Sequence, residues 1–410
     1  MGKKLLVAQS GGPTSAINAT LAGIIEAALR NPEVSEVLGA RYGIQGVLRE
    51  QFLNLSGIEH IEDMLDTLAV TPAAALGSCR FKLKDPAQDP SEFEALIRIF
   101  QKHEIGYFVY IGGNDSMDTV WKLSDYIKEH HIPDIVVVGA PKTIDNDLYG
   151  IDHCPGFGSA AKYIATSISE LERELEVYDT PYVIVVEMMG RNAGWLTAAA
   201  ALAESANSNV PYLIYLEERP FDLNDFISDL RGELAVGKDV IVAISEGIRD
   251  RSGKMICDYA DRDQSKDAFG HTIATGAGKV LENAIRSNIG CKVRYIELNL
   301  LQRCAGHLLS ETDITESTEL GRNAVRLAVD GQNGVMSTLT RTSNHPYSVA
   351  YGAADIAEIA DREKKVPDSW ITSEGNGVTE EMLEYLRPLV QGERSCRFEN
   401  GIPKYVVFDK

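Results

Sequence analysis

Tyr107-Phe108-Val109-Tyr110-Ile111-Gly112-Gly113-Asn114-Asp115-Ser116 decides how this chain is built. An apolar run of strand length, rich in aromatic and β-branched residues, stops at two glycines and a polar turn. The same event recurs along the sequence. Lys4 to Ala8 reads as a buried strand, Ser10-Gly11-Gly12-Pro13-Thr14-Ser15 as the loop after it, and Ala16 to Leu29 has the apolar spacing of a helix. Further strand-to-loop transitions follow at Ile135 to Gly139, Tyr182 to Glu187, Val240 to Ile244 and Val293 to Leu298. Strands separated by helices imply parallel sheets, because a parallel connection needs a crossover. Ligands of such sheets collect beyond the carboxyl ends of the strands. All the chemically distinctive loops lie there, so they can converge.

At 410 residues the chain can hold two core-bearing lobes. The expected fold class is α/β: two Rossmann-like lobes with largely parallel sheets and an active site in the cleft between them. We place an N-terminal lobe at 1–150, mainly for a phosphoryl donor, and a second at 151–330, mainly for a sugar phosphate. Residues 331–410 read as an elaboration of the second lobe, with 344–365 a turn and short helix and 368–378 a loop. These boundaries are approximate, and the chain is free to cross between lobes.

The formal charge of −20 excludes a broad nucleic-acid surface, which relies on clustered Lys and Arg. Any phosphate site must therefore gather cations locally. The six cysteines form no C-x-x-C pair and read as reduced thiols. The eight histidines show no metal-ligand spacing. The apolar run at Leu5 to Ala8 is too short for a signal peptide, and no stretch reaches a membrane span of roughly 18 apolar residues. The expected location is the cytoplasm.

Three loops carry the chemistry. Ser10-Gly11-Gly12-Pro13-Thr14 lets backbone N–H groups approach an anion at a helix start. Gly112 to Ser116 adds a carboxylate, Asp115, directly at a strand end. Pro141-Lys142-Thr143-Ile144-Asp145-Asn146-Asp147 places two carboxylates beside a lysine. Phosphoryl transfer gives that grouping a reason: one aspartate accepts the proton of an attacking hydroxyl, a second holds Mg²⁺, and the lysine neutralises the transferring group. Arg80, Arg191, Arg294 and Arg303 lie beside expected strand ends, where guanidinium groups suit phosphate. Glu246 could accept hydrogen bonds from sugar hydroxyls.

In order, these loops resemble the phosphofructokinase family, specifically its pyrophosphate-dependent branch, over about Leu5 to Asp330. The resemblance runs through Ser10-Gly11-Gly12-Pro13, Gly77-Ser78-Cys79-Arg80, Gly112 to Ser116, Pro141 to Asp147, Cys154 to Ser159, Met189 to Trp195, Ser245-Glu246-Gly247 and Leu301-Gln302-Arg303. It implies reversible, Mg²⁺-dependent transfer of a phosphoryl group from pyrophosphate to the 1-hydroxyl of fructose 6-phosphate. It also implies a homo-oligomer, a homodimer with a tetramer as the alternative. By position, Asp145 is the general base, with Lys142 and Asp115 beside it. Gly12, Arg80 and Gly113 face the donor, and Asn114 and Asp147 the metal. Thr143, Ile144, Met189, Gly190, Arg191, Glu246, Arg294 and Arg303 form the sugar-phosphate site.

ATP-using members resemble this chain except that glycines stand at the positions of Asp115 and Lys142. A carboxylate at Asp115 would repel a nucleotide's α-phosphate by about 4 kcal/mol at ~4 Å in an effective dielectric of ~20. Lys142 would compensate a donor that brings no adenosine. Three positions depart from the pattern: Asn114 replaces an aspartate, Tyr182 an arginine that reaches a neighbouring subunit's site, and Leu300 a polar sugar contact. The alternative readings are an ATP-dependent sugar-phosphate kinase of the same fold and a non-catalytic regulatory subunit.

Overall fold

The computed structural model describes residues 2–204, 210–237, 239–259, 276–360 and 362–408. Its principal strands, in chain order, are β1 (Lys3–Gln9), β2 (Val34–Ala40), β3 (Phe52–Asn54), β4 (Ile105–Gly112), β5 (Val136–Pro141) and β6 (Tyr182–Met188). There follow β7 (Tyr212–Tyr215), β8 (Asp239–Ser245), β9 (Lys292–Glu297), the two-residue β10 (Leu309–Ser310), β11 (Val335–Asn344) and β12 (Tyr347–Asp355). Seven strands make one sheet in the order β12-β11-β5-β4-β1-β2-β3, and four make a second, β7-β8-β6-β9. The central pairs of the first sheet and every pair of the second are parallel.

Alternation along each strand explains the layers. Leu5, Val7, Val109 and Ile111 enter one core with the helices Ile17–Leu29 and Glu311–Val329. Leu6, Ala8, Phe108 and Tyr110 enter the opposite core with the helices Ser91–Lys102 and Asn114–Glu129. With both faces covered, all of β4 is buried, as a doubly covered parallel strand requires. The second sheet repeats the scheme. Ile184 and Val186 face the helix Phe157–Leu175, while Val183 and Val185 face Leu223–Val236 and Ala277–Asn288.

The C-terminal third divides: Val366, Ile371, Met382, Leu386 and Leu389 join the core of the second lobe, while its earlier strands depart from the sequence reading. Within 344–365 the turn after Asn344 and the short helix Ile356–Ile359 are present, but the strand β12 lies between them and closes a hairpin with β11, which runs parallel to β5 through Val335↔Val138 and Met336↔Gly139. The two strands therefore extend the first sheet and do not elaborate the second. The helix Glu311–Val329, within the range read as the second lobe, also lies on the first. It crosses Ile17–Leu29 where a Cβ on Gly23 would come 2.0 Å from the Thr318 carbonyl, and one on Gly321 2.2 Å from that of Thr20. Only glycine permits so close an approach.

Candidate active site

The register of the first sheet sets its loops side by side. β1 ends level with β4 through Gln9↔Ile111, and β4 with β5 through Gly112↔Pro141. Residues 10–14, 113–116 and 142–147 thus leave the sheet together. From the second sheet, Met188↔Ser245 aligns the exits that carry Met189 to Asn192 and Glu246. These loops, with Arg303 of the short helix Leu301–Cys304, line a cleft of about 620 Å³.

Local chemistry fixes each loop. A Cβ on Gly112 would fall 1.9 Å from Ser116 Oγ, so glycine lets the helix Asn114–Glu129 start straight off the strand. Its first turn carries Asp115, exposed in the cleft. Ser78 Oγ donates to the Gly11 carbonyl at 2.6 Å and Gly11 N to the Cys79 carbonyl at 3.2 Å. That docking brings Arg80 into the cleft wall.

The loop 142–147 is held from both sides. Lys142 N donates to the Gly112 carbonyl at 2.9 Å, and its Nζ to the Gly12 carbonyl at 2.6 Å. Asp145 N donates to Thr143 Oγ1 at 3.1 Å. Asn146 takes a left-handed conformation (φ 54°) and turns its buried amide backward, between two aspartates that line the cleft. Its Nδ2 donates to Tyr385 Oη at 2.8 Å, while its Oδ1 accepts from Cys154 N at 3.0 Å and Lys364 Nζ at 3.1 Å.

Removal from bulk water dominates the electrostatics. Lys142 is 2% exposed, and burial pushes its ammonium down to about 8, opposed by the charge of Asp145. Burial raises Asp145 against the pull of Lys142, Arg303 and Arg191. Burial and then Asp145 raise Asp147. Glu246 rises to about 8 through burial, with Asp145 and Glu187 adding to it. The cleft is therefore a place where proton positions respond to an arriving charge.

A divalent cation fits one corner. Asn114 Nδ2 donates to Asp147 Oδ2 at 2.9 Å, which leaves Asn114 Oδ1 a buried acceptor with no hydrogen-bond partner among the described residues. The described residues hold no cluster of three His, Cys, Asp or Glu with metal-site geometry. That donor set suits Mg²⁺, which retains waters and takes one or two protein oxygens plus substrate phosphates.

Of the residues singled out from the sequence, Gly12, Arg80, Gly113, Asn114, Asp115, Lys142, Thr143, Ile144, Asp145, Asp147, Met189, Arg191, Glu246 and Arg303 line this cleft. Gly190 stands just behind, its N–H donating to Glu246 Oε1 at 3.4 Å. Arg294 does not line this cleft. It is the third residue of the edge strand β9, roughly 10 Å back from the carboxyl end at ~3.3 Å per residue. There it hydrogen-bonds Tyr182 and lines a separate hollow with Lys279, Glu282, Arg286 and Lys292. Sequence reasoning missed Asn192, Arg362 and Glu363, all of which line the cleft. Asn192 directly follows Arg191 in the Met189 to Trp195 stretch, whereas Arg362 and Glu363 carry no local signal.

The phosphofructokinase family model matches residues 4–328. A pyrophosphate–fructose 6-phosphate 1-phosphotransferase of Xanthomonas campestris pv. campestris is 42% identical, covering 98% of this chain and 95% of that protein. One from Halomonas elongata is 40% identical over 98% and 95%. The crystal structure of a pyrophosphate-dependent phosphofructokinase from Nitrosospira multiformis superposes with a TM-score of 0.88 at 36% identity, covering 98% and 96%.

Proposed function

The chain belongs to the phosphofructokinase family, and from that premise we propose the reading its cleft supports best. It transfers a phosphoryl group reversibly from pyrophosphate to the 1-hydroxyl of fructose 6-phosphate, giving fructose 1,6-bisphosphate and phosphate. The observation that carries the donor is the enclosed Lys142. Its ammonium touches Gly12 and lies in the field of Asp145, while Asp115 occupies the mouth of the same cleft.

In this reading Gly12, Gly113, Arg80 and Lys142 receive pyrophosphate, and Asp115 repels the longer phosphate chain of a nucleotide. Arg191, Arg303, Glu246 and the Thr143, Ile144, Met189 and Gly190 segments hold the sugar phosphate. Asp145 accepts the proton of the 1-hydroxyl as the oxygen attacks. Lys142 balances charge on the group in flight. Family enzymes generally use Mg²⁺; Asn114 Oδ1 and Asp147 would hold it, where it neutralises phosphate charge. We assign Arg294 to the cleft of a second copy in a homodimer, because it reaches no part of its own. No described helix is long and apolar enough to cross a membrane, and we keep the cytoplasm as the place of action.

The test is turnover of purified protein with fructose 6-phosphate and Mg²⁺, pyrophosphate against ATP. Turnover with pyrophosphate alone supports the reading. Turnover with ATP alone replaces it with an ATP-dependent kinase, and none with either donor leaves the regulatory subunit.

A further inference from the structure

The cleft wall carries five carboxylates, Asp115, Asp145, Asp147, Glu246 and Glu363, against the cations Arg80, Lys142, Arg191, Arg303 and Arg362. Pyrophosphate adds several negative charges and no nucleoside to bind by, so its affinity rests on charge contacts. Four of those cations belong to the region matched by the family model; Arg362 lies beyond its end at residue 328.

Arg362 is presented to the cleft by a built frame. The chain beside it pairs with the catalytic loop through Leu148↔Glu363, and Lys364 N donates to the Asp147 carbonyl at 2.7 Å. From the opposite lobe, Asn192 Nδ2 donates to Glu363 Oε1 at 2.8 Å and Trp195 Nε1 to the Lys364 carbonyl at 2.9 Å, and Glu218 Oε1 accepts from Val366 N of the segment at 3.0 Å. The segment thus straps the two lobes across the cleft. The guanidinium of Arg362 lies 3.7 Å over the ring of Tyr149. Stacking uses the face of a guanidinium and leaves its in-plane N–H groups for another partner. Among the described residues one carbonyl, Glu358 O at 3.4 Å, takes one of them, and no carboxylate forms an ion pair with it.

We infer that Arg362 is a further phosphate-binding residue of the cleft and that it holds the pyrophosphate donor. Its seat on Tyr149, two residues past Asp147, puts it on the side of Asn114 and Asp147. Arg191 and Glu246 enter from the other sheet, and Arg303 from the helix after β9. The inference rests on the donor reading above.

Arg362→Gln and Arg362→Lys test it, through KM for each substrate at saturating levels of the other and through the pyrophosphate-dependent rise in melting temperature. A charge-assisted contact predicts that Arg362→Gln raises KM for pyrophosphate roughly 10- to 100-fold and abolishes most of that rise. Arg362→Lys recovers part of both. KM for fructose 6-phosphate and the melting temperature without substrate stay within about threefold and about 1 °C, since the side chain is exposed. An unchanged pyrophosphate KM, or an equal rise in both KM values, overturns the inference alone. A wild type that does not use pyrophosphate overturns the donor reading with it.

Discussion

Lys142 and Lys364 are two lysines withdrawn from bulk water on opposite sides of one loop. Burial lowers both ammonium groups, Lys142 to about 8. Their hydrogen bonding differs. Lys364 Nζ commits its three donors to Asn146 Oδ1 at 3.1 Å, the Ile151 carbonyl at 3.2 Å and the Asp152 carbonyl at 2.7 Å. Among the described residues Lys142 Nζ gives one to the Gly12 carbonyl at 2.6 Å, and it lines the cleft. An ammonium has three donors, so Lys142 keeps two for a ligand. The lowering of Lys142 from 10.5 to about 8 means that the site disfavours the charged form against the neutral one by about 3 kcal/mol relative to water. A phosphate would relieve that penalty. Lys364 is architecture and Lys142 a poised charge.

The largest effect belongs to the group that faces Lys142. Asp145→Ser is expected to lower kcat roughly 100- to 10,000-fold, as for a lost general base. Steady-state turnover of a variant with wild-type melting temperature measures it, and near-normal turnover would remove Asp145 from the chemistry. Lys142→Met comes next, with roughly a 100- to 1,000-fold loss in kcat/KM for pyrophosphate. Because the buried ammonium is already unfavourable, this variant should melt no lower than the wild type. A lower melting temperature with intact activity would make Lys142 a second Lys364.

Lys364→Met sharpens the contrast from the other side. It leaves the Ile151 carbonyl without its donor, and takes one of two donors each from Asn146 Oδ1 and the Asp152 carbonyl, which keep Cys154 N and Tyr385 Oη. It should lower the unfolding free energy by roughly 1–3 kcal/mol in a urea titration. Activity at low temperature should survive in the fraction that remains folded. Full stability with lost turnover would place Lys364 in the reaction.

The two lysines were not equally legible. Lys142 stands in a strand–loop–helix transition whose glycines and aspartates are contiguous, so local spacing exposes it. Lys364 acts on carbonyls 212 and 213 residues away, and a backbone acceptor leaves no residue type to read. The same holds for β11 and β12. The polar stretch of β11, Thr338-Leu339-Thr340-Arg341-Thr342-Ser343-Asn344, pairs with β12, and the hairpin joins the sheet only where Val335 and Met336 lie beside Val138 and Gly139 of β5. Parallel pairing between distant segments also hid that residues 311–355 return to the first sheet. Arg294 shows a different limit: the pattern marks its strand, but not that it stands third of the six residues Lys292–Glu297.

The smallest effect separates the reaction from the fold by sign. If Lys142 must be charged, kcat/KM for pyrophosphate should fall above about pH 8, by at most tenfold per unit. Stability should move the other way. Between about 8 and 10.5 the unfolded chain holds a proton on this lysine that the folded chain has released, so the unfolded state binds more protons and stability rises with pH. The gain is at most about 1.4 kcal/mol per unit, read as the difference between wild type and Lys142→Met in urea titrations across that window. In Lys142→Arg the guanidinium stays charged, so the alkaline fall should vanish while the maximum rate drops, because a planar fork replaces a point charge. Activity and stability falling together above pH 8, with Lys142→Arg following the same curve, would assign the fall to unfolding and dissolve the distinction between the two lysines.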